Sequence, residues 1–285
     1  MDKPTWLKKR FLASAATKET EAVIAGLGLH TVCSSALCPN RSECFNRKVA
    51  TFLILGNVCT RRCAFCGVAG GIPLAVDGSE PFRVAQAIAR LRLEYAVITS
   101  VTRDDLPDRG AAVFAATLAA VRGTTPRTRV EILTPDFDGQ PELLKIVLAG
   151  KPLVFNHNLE TVPRLYPTVR PQASYQTSLR LLQAAKKEAA VFTKSGLMLG
   201  LGEEKAEVVS ALSDLRSAGC DILTLGQYLR PGKDNLPVAR YVTPEEFEAY
   251  KNIAEKLGFK ACASGPFVRS SYYAADLFKQ TTALR

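Results

Sequence analysis

"VATFLILGNVCTRRCAFCGV", residues 49–68, runs from a strand-like stretch into a loop that holds three cysteines. Residues 49–55 carry little polar alternation, the pattern of a strand buried on both faces. Cys59, Cys63 and Cys66 then follow at C-x3-C-x2-C spacing. Three thiols are one short of a closed tetrahedral metal site and an odd number for disulfides. A zinc ion would have to be completed from elsewhere, and the only histidines are His30 and His157. A four-iron cubane held by three cysteines leaves one iron exposed, and that iron can bind a substrate or cofactor directly. On this reading the vacant corner of the cluster is the functional position.

A second triplet stands upstream in "CSSALCPNRSECF", where Cys33, Cys38 and Cys44 are spaced C-x4-C-x5-C. Two incomplete triplets so close together argue against small buried hydrophobes. Cys220 and Cys262 are different: each stands alone in an apolar context and is expected to be buried and reduced.

Downstream the chain alternates. Residues 95–100, 129–133, 152–156, 196–199 and 221–226 read as further strands. Between them lie amphipathic helical stretches. In residues 80–92 the apolar positions are Phe82, Ala85, Ile88, Ala89 and Leu91. Residues 141–150 end on Gly150, an expected cap, and residues 203–219 end on Gly219. Residues 243–258 open with Thr243 as N-cap, Pro244 in the first turn and Glu246 at the capping-box position. Repeated strand–helix units predict an α/β fold with a parallel sheet. The usual glycine-rich nucleotide loops are absent, and the cysteine loop follows the first strand instead. In a barrel, loops after strands form the active face, so a full or partial barrel is favoured.

Composition narrows the class. The 285 residues are 47% hydrophobic and 22% charged, enough for a core without disulfide staples. The first twenty residues have no long apolar stretch, and the small-apolar run at 111–121 is short of a membrane span. A reducing, cytoplasmic setting is expected. The net charge of +10 suggests an anionic partner, but there is no dominant basic tract and one Trp, so neither nucleic acid nor membrane is indicated.

C-x3-C-x2-C with Phe65 before its last cysteine resembles the signature of radical S-adenosylmethionine (SAM) enzymes. The upstream triplet, "VTRDDLPDRGA" (101–111), "NHNLETV" (156–162), "SGLMLGLGE" (195–203), "LTLGQYLRP" (223–231) and "RSSYYA" (269–274) together resemble the lipoyl synthase family, from about Leu29 onward. Phe45 and Gly67 depart from that pattern, where Trp and an acidic residue are usual; both lie beside ligands rather than at them.

The resemblance implies a partial (β/α)6 barrel over residues 49–265, an N-terminal arm with an auxiliary-cluster loop (1–48), and a C-terminal tail (266–285). It implies two [4Fe–4S] clusters. Cys59, Cys63 and Cys66 hold one, whose open iron binds SAM; Cys33, Cys38 and Cys44 hold the other, with Ser271 as its fourth ligand. An alkoxide suits iron–sulfur chemistry less well than thiolate, so it can leave when that cluster gives up sulfur. Without the resemblance, the same serine reads as a helix N-cap. The implied reaction puts two sulfurs on C6 and C8 of an octanoyl-lysine, using SAM-derived radicals, because no side-chain base removes such hydrogens. "NHNLE" is also similar to the ribose-holding stretch of biotin synthases, which points to Asn158 and Glu160. Lys194 is a candidate partner for the SAM carboxylate and Ser178 a lesser one. Gly200 and Gly202 would give backbone room for a cofactor. Arg103, Asp104 and Asp105 stand where barrels recruit polar groups, and a surface-loop salt bridge explains them almost as well; His157 reads as structural, and Arg269 as a positioning residue. Expected partners are octanoylated lipoyl carrier domains (2-oxoacid dehydrogenase E2 subunits and the glycine cleavage H protein), an electron donor such as ferredoxin or flavodoxin, and an iron–sulfur carrier. The enzyme is expected to act as a monomer.

Overall fold

The computed structural model describes residues 3–9, 14–47 and 49–283. Part of the expected arm, and its boundary at Lys48, lie outside the described residues. Contacts divide the chain into two units: residues 10–62 with 67–155, and residues 1–9 with 63–66 and 156–285.

In the first unit the chain begins with α1 (Ala15–Gly26), capped by Ser14, whose hydroxyl accepts the Thr17 N–H at 3.1 Å. A short strand β1 (His30–Thr31) leads through α2 (Val32–Ser35) to α3 (Arg41–Asn46). Thr17 and Thr20 on α1 donate to the Ser42 and Phe45 carbonyls, tying α1 to α3. Next come β2 (Thr51–Ile54), the two-residue strands β3 (Val58–Cys59) and β4 (Ala69–Gly70), α4 (Glu80–Leu91) and β5 (Tyr95–Ser100). α5 (Ala111–Thr124), β6 (Arg129–Leu133), α6 (Pro141–Ala149) and β7 (Val154–Asn156), all but its last residue, complete it. β2, β5 and β6 run parallel, Phe52 opposite Ile98 and Ile98 opposite Ile132, all fully buried. β1 adds antiparallel to the edge of β2, and β3 pairs with β4 separately. The sequence expectation for α4 needs one correction: Phe82 is 58% exposed. The buried stripe is Pro81, Val84, Ala85, Ile88 and Leu91, and Phe82 lies one position off it.

The second unit carries α7 (Tyr166–Val169), α8 (Tyr175–Glu188), β8 (Phe192–Leu199), α9 (Lys205–Ser217), β9 (Ile222–Gln227), α10 (Pro244–Lys256), β10 (Ala261–Gly265) and α11 (Ala274–Ala283). β8, β9 and β10 are parallel. β10 was legible only as a strand-like context for Cys262, because Ala261–Gly265 is built from small residues with weak β-propensity. Beside β8 runs the segment 157–160: His157 N–H donates to Lys194 O, Glu160 N–H to Gly196 O, and Met198 N–H to Glu160 O. The capping box of α10 forms as read, Thr243 and Glu246 bonding each other's backbone. Gly219 and Gly258 take left-handed backbone (φ +85° and +86°) just past α9 and α10. Neither set of strands closes into a ring among the described residues. No described helix is long and apolar enough to cross a membrane.

Candidate active site

In the first unit, the strand-to-loop corner after β2 is strained and clasped. Leu55 has φ +68°, uncommon for a residue with a Cβ. Its N–H donates to the buried Glu80 carboxylate at 2.6 Å, and its carbonyl accepts from buried Arg103 at 3.4 Å. Burial raises the Glu80 pKa against the pull of the Leu55 and Gly56 N–H groups. Arg103 also grips Asp105 at 2.8 and 2.9 Å and holds that carboxyl below the usual range.

Beyond the corner, β3 presents Cys59. Its Sγ accepts the backbone N–H of Arg61 at 3.4 Å and of Thr102 at 3.3 Å. The Arg61 guanidinium is buried and forks twice, to Asp104 at 2.8 and 2.9 Å and to Asp136 at 2.6 and 2.8 Å. Burial alone would lower its pKa, but the two carboxylates drive it higher. Of the three polar residues expected after β5, Asp104 therefore clamps the cysteine loop, while Arg103 and Asp105 brace the corner. Arg61, Asp136 and Glu80 were not foreseen; an arginine inside the cysteine motif was the one available signal.

The upstream triplet lies in the same unit. Cys33 is buried in α2, and burial pushes its thiol up to about 11, with Cys38 adding to the rise. Cys38 and Cys44 are half-buried, and the Cys38 N–H donates to the Cys33 carbonyl at 3.1 Å. Cys220 and Cys262 are free and buried as expected, burial pushing each thiol up to about 12.

In the second unit, Cys63, Phe65 and Cys66 are half-buried on a short turn, Cys66 N–H to Cys63 O at 3.0 Å. Ala64 N–H donates to Val169 O at the end of α7, and Leu236 N–H donates to Ala64 O, both at 3.0 Å. The Asn235 amide, another residue not foreseen, donates to the Ala64 and Cys66 carbonyls at 3.2 and 2.9 Å.

The same unit gathers Asn158, Glu160, Lys194 and Ser178 near β8. Asn158 Nδ2 donates to Glu160 Oε1 at 3.0 Å and to Ser270 Oγ at 2.6 Å. Glu160 has φ +67°, and burial raises its pKa despite Arg170, Asn158 and Arg269. Arg170 donates to the Asn158 and Leu159 carbonyls at 2.9 and 3.2 Å and fixes the segment from below. Lys194 is buried on β8. Ser178 is fully buried, its hydroxyl 2.9 Å from Nε2 of the buried His157. Gly200 is packed rather than open: a Cβ there would lie 2.2 Å from the Gln227 amide. Glu203 folds back to accept the Gly200 and Leu201 N–H groups at 2.6 and 2.9 Å. Ser271 stands in a turn before α11, outside the helix, its carbonyl accepting from Ala274 N–H at 3.4 Å.

These residues fit the groups the sequence implies. Two backbone N–H donors on the Cys59 sulfur fix the direction in which it faces. Asn158 Oδ1 is buried with no hydrogen-bond partner among the described residues, an acceptor aimed where a polar ligand would satisfy it. Gly196 lets Thr224 and Asn158 pack close, since a Cβ there would meet Thr224 Oγ1 at 2.4 Å and Asn158 Oδ1 at 3.2 Å.

Residues 53–215 match the Radical SAM superfamily. The chain is 54% identical over 275 residues to lipoyl synthase of Rubrobacter xylanophilus, covering 96% of this chain and 86% of that one. It is 52% identical over 280 residues to lipoyl synthase of Pelodictyon phaeoclathratiforme, covering 98% and 95%. Among solved structures, HydG, a maturase of the [FeFe]-hydrogenase, is similar at TM-score 0.59 and 13% identity, covering 87% of this chain and 63% of that one. Methylornithine synthase is similar at TM-score 0.53 and 14% identity, covering 81% and 64%. Both solved structures share the α/β fold with this chain.

Proposed function

The chain belongs to the lipoyl synthase family of the radical SAM superfamily, and from that premise we propose how its residues divide the work. The activity is radical SAM-dependent insertion of sulfur at C6 and C8 of a protein-bound octanoyl group, with SAM and a [4Fe–4S] cluster as cofactors. In the proposal Cys59, Cys63 and Cys66 hold the cluster that meets SAM, and Cys33, Cys38, Cys44 and Ser271 hold a second cluster. When bound, these groups supply one-electron cleavage of the sulfonium, hydrogen abstraction from carbon, and the inserted sulfur.

The protein's own residues bind, orient and exclude water. The observation that carries the reading is the Cys59 sulfur receiving two backbone N–H groups on a loop locked by Arg61. Such donors fix the direction of a sulfur ligand. Asn158 and Glu160 are assigned to the ribose of SAM, supported by the unsatisfied Asn158 Oδ1. Phe65 is assigned as a wall beside the bound cofactor, and Lys194 to its carboxylate. Ser178 enters through His157, whose ring it holds. Orientation of the target carbon is the scaffold's largest contribution, worth on the order of 7–11 kcal/mol in favourable cases. The same reading treats residues 1–48 as the auxiliary-cluster arm, 49–265 as the barrel body and 266–285 as the tail. It places the enzyme in the cytoplasm as a monomer. Carrier domains bearing octanoyl-lysine are its substrates, and a low-potential protein is its reductant.

The test is anaerobic incubation of the iron-reconstituted protein with SAM, a reductant and an octanoyl-lysyl peptide. The expected product carries two added sulfurs by mass. Clusters rebuilt with heavy sulfide should label both. Unlabelled product with both clusters intact would refute the second-cluster assignment.

A further inference from the structure

The tail and the segment after β7 share a bond that the roles above do not use. Asn158 Nδ2 spends one proton on Glu160 and the other on Ser270, the shorter contact at 2.6 Å. With both protons engaged, the amide cannot rotate, so its buried, unsatisfied Oδ1 has one fixed direction. Ser270 directly precedes Ser271. The tail around it is a chain of turns: Val268 N–H to Gly265 O at 3.0 Å and Tyr272 N–H to Arg269 O at 2.9 Å. It rides directly over β9, because Gly226 has no Cβ; one there would lie 2.1 Å from the Val268 carbonyl. On its other flank Lys9 stands 5.1 Å from the Phe267 ring and 4.9 Å from the Tyr272 ring. All these residues belong to one unit.

We infer that Ser270 is a positioning residue that couples SAM occupancy to the placement of Ser271, through its hydrogen bond to Asn158. The inference rests on the proposed roles of Asn158 and Ser271. A ligand donating to Asn158 Oδ1 polarises the already fixed amide, so its Nδ2 holds the Ser270 hydroxyl more firmly. The next residue in the chain inherits that restraint. Conversely, while the Oδ1 acceptor is unmet, the Asn158–Ser270 bond lacks that reinforcement and restrains the tail less. Thermodynamic linkage makes the effect reciprocal: an ordered tail must also tighten SAM. A single buried hydrogen bond of this kind can shift an equilibrium by about threefold to tenfold.

The test compares the full-length, cluster-loaded protein with S270A and S270T, with and without SAM. Hydrogen–deuterium exchange of the segment 266–273 is read alongside SAM affinity. In the unaltered protein SAM should slow exchange in that segment. In S270A that SAM-dependent slowing should disappear and SAM should bind about threefold to tenfold more weakly. S270T, which keeps the hydroxyl, should restore both. If S270A keeps the full SAM-dependent protection, or S270T fails to restore it, the inference is overturned. S271A separates this from the underlying assignment. Full iron content and an unchanged cluster spectrum in S271A would refute Ser271 as a ligand, while the Ser270 result would still stand or fall on SAM-dependent exchange.

Discussion

Arg61 sits two residues after Cys59 and is answered by Asp104 and Asp136, partners 43 and 75 positions away. Such a buried triad is costly to break on one side only, because it strands charge out of water. Arg61→Met should therefore destabilise the protein by about 3–5 kcal/mol in chemical denaturation. Arg61→Lys keeps the charge but cannot make both forks, so it should fold yet retain less iron after desalting. Asp221 offers a second residue-level test. Burial would raise its pKa, but Lys186 at 2.5 Å, Lys260 at 2.8 Å and the Thr193 N–H outweigh it, and the net shift is downward. A depressed carboxyl gives stability that is full above its unfolded pKa and is lost as pH falls through the folded value. Asp221→Asn should cost about 3 kcal/mol in urea unfolding at pH 7. The deficit should shrink below about pH 4, where the unaltered protein protonates as well. Neither network was legible in the sequence. Arg61 stands inside a motif that is read for its cysteines, and residues 221–226 read as a strand with nothing to single out Asp221. The cysteines were legible because their spacing is a local, chemically restrictive pattern, whereas a charged residue gives no local sign of its distant partner.

Among the elements, α10 shows what local chemistry can specify. Thr243 and Glu246 exchange side-chain bonds with each other's backbone, Pro244 occupies the first turn and Gly258 follows the end. Thr243→Ala should lower stability by about 1 kcal/mol, read as a shift in the denaturation midpoint with unchanged slope. Buried parallel strands were equally legible, since β2 and β5 are buried on both faces, although β6 buries the charged Glu131 opposite Val130 and Ile132. The failures have a common cause. Phe82 was assigned to the α4 core by its apolarity, yet helical geometry turns it about 100° from the buried stripe. Gly200 was read as room for a ligand, although its missing Cβ accommodates Gln227 and the Arg240 carbonyl. Composition says that a glycine is needed, and only packing says by whom.

For the whole molecule, the net charge of +10 bears on partner capture rather than on chemistry. If the charge steers acidic carrier domains, raising ionic strength from about 50 to 500 mM should slow capture of an octanoylated domain by roughly tenfold while leaving turnover at saturation unchanged. Association measured by stopped-flow checks this, and a salt-independent rate would remove steering as the use of that charge. The sequence by itself determined the strand–helix rhythm, the two cysteine triplets and the family. Each is written in short-range periodicity or in runs of residues close along the chain. Tertiary structure alone decided which polar groups meet: Arg61 with Asp104 and Asp136, Leu55 with Glu80 and Arg103, and Asn158 with Ser270 across 112 positions. The physical reason is that a buried polar group must find a partner, but strand order and packing, not sequence proximity, choose which one.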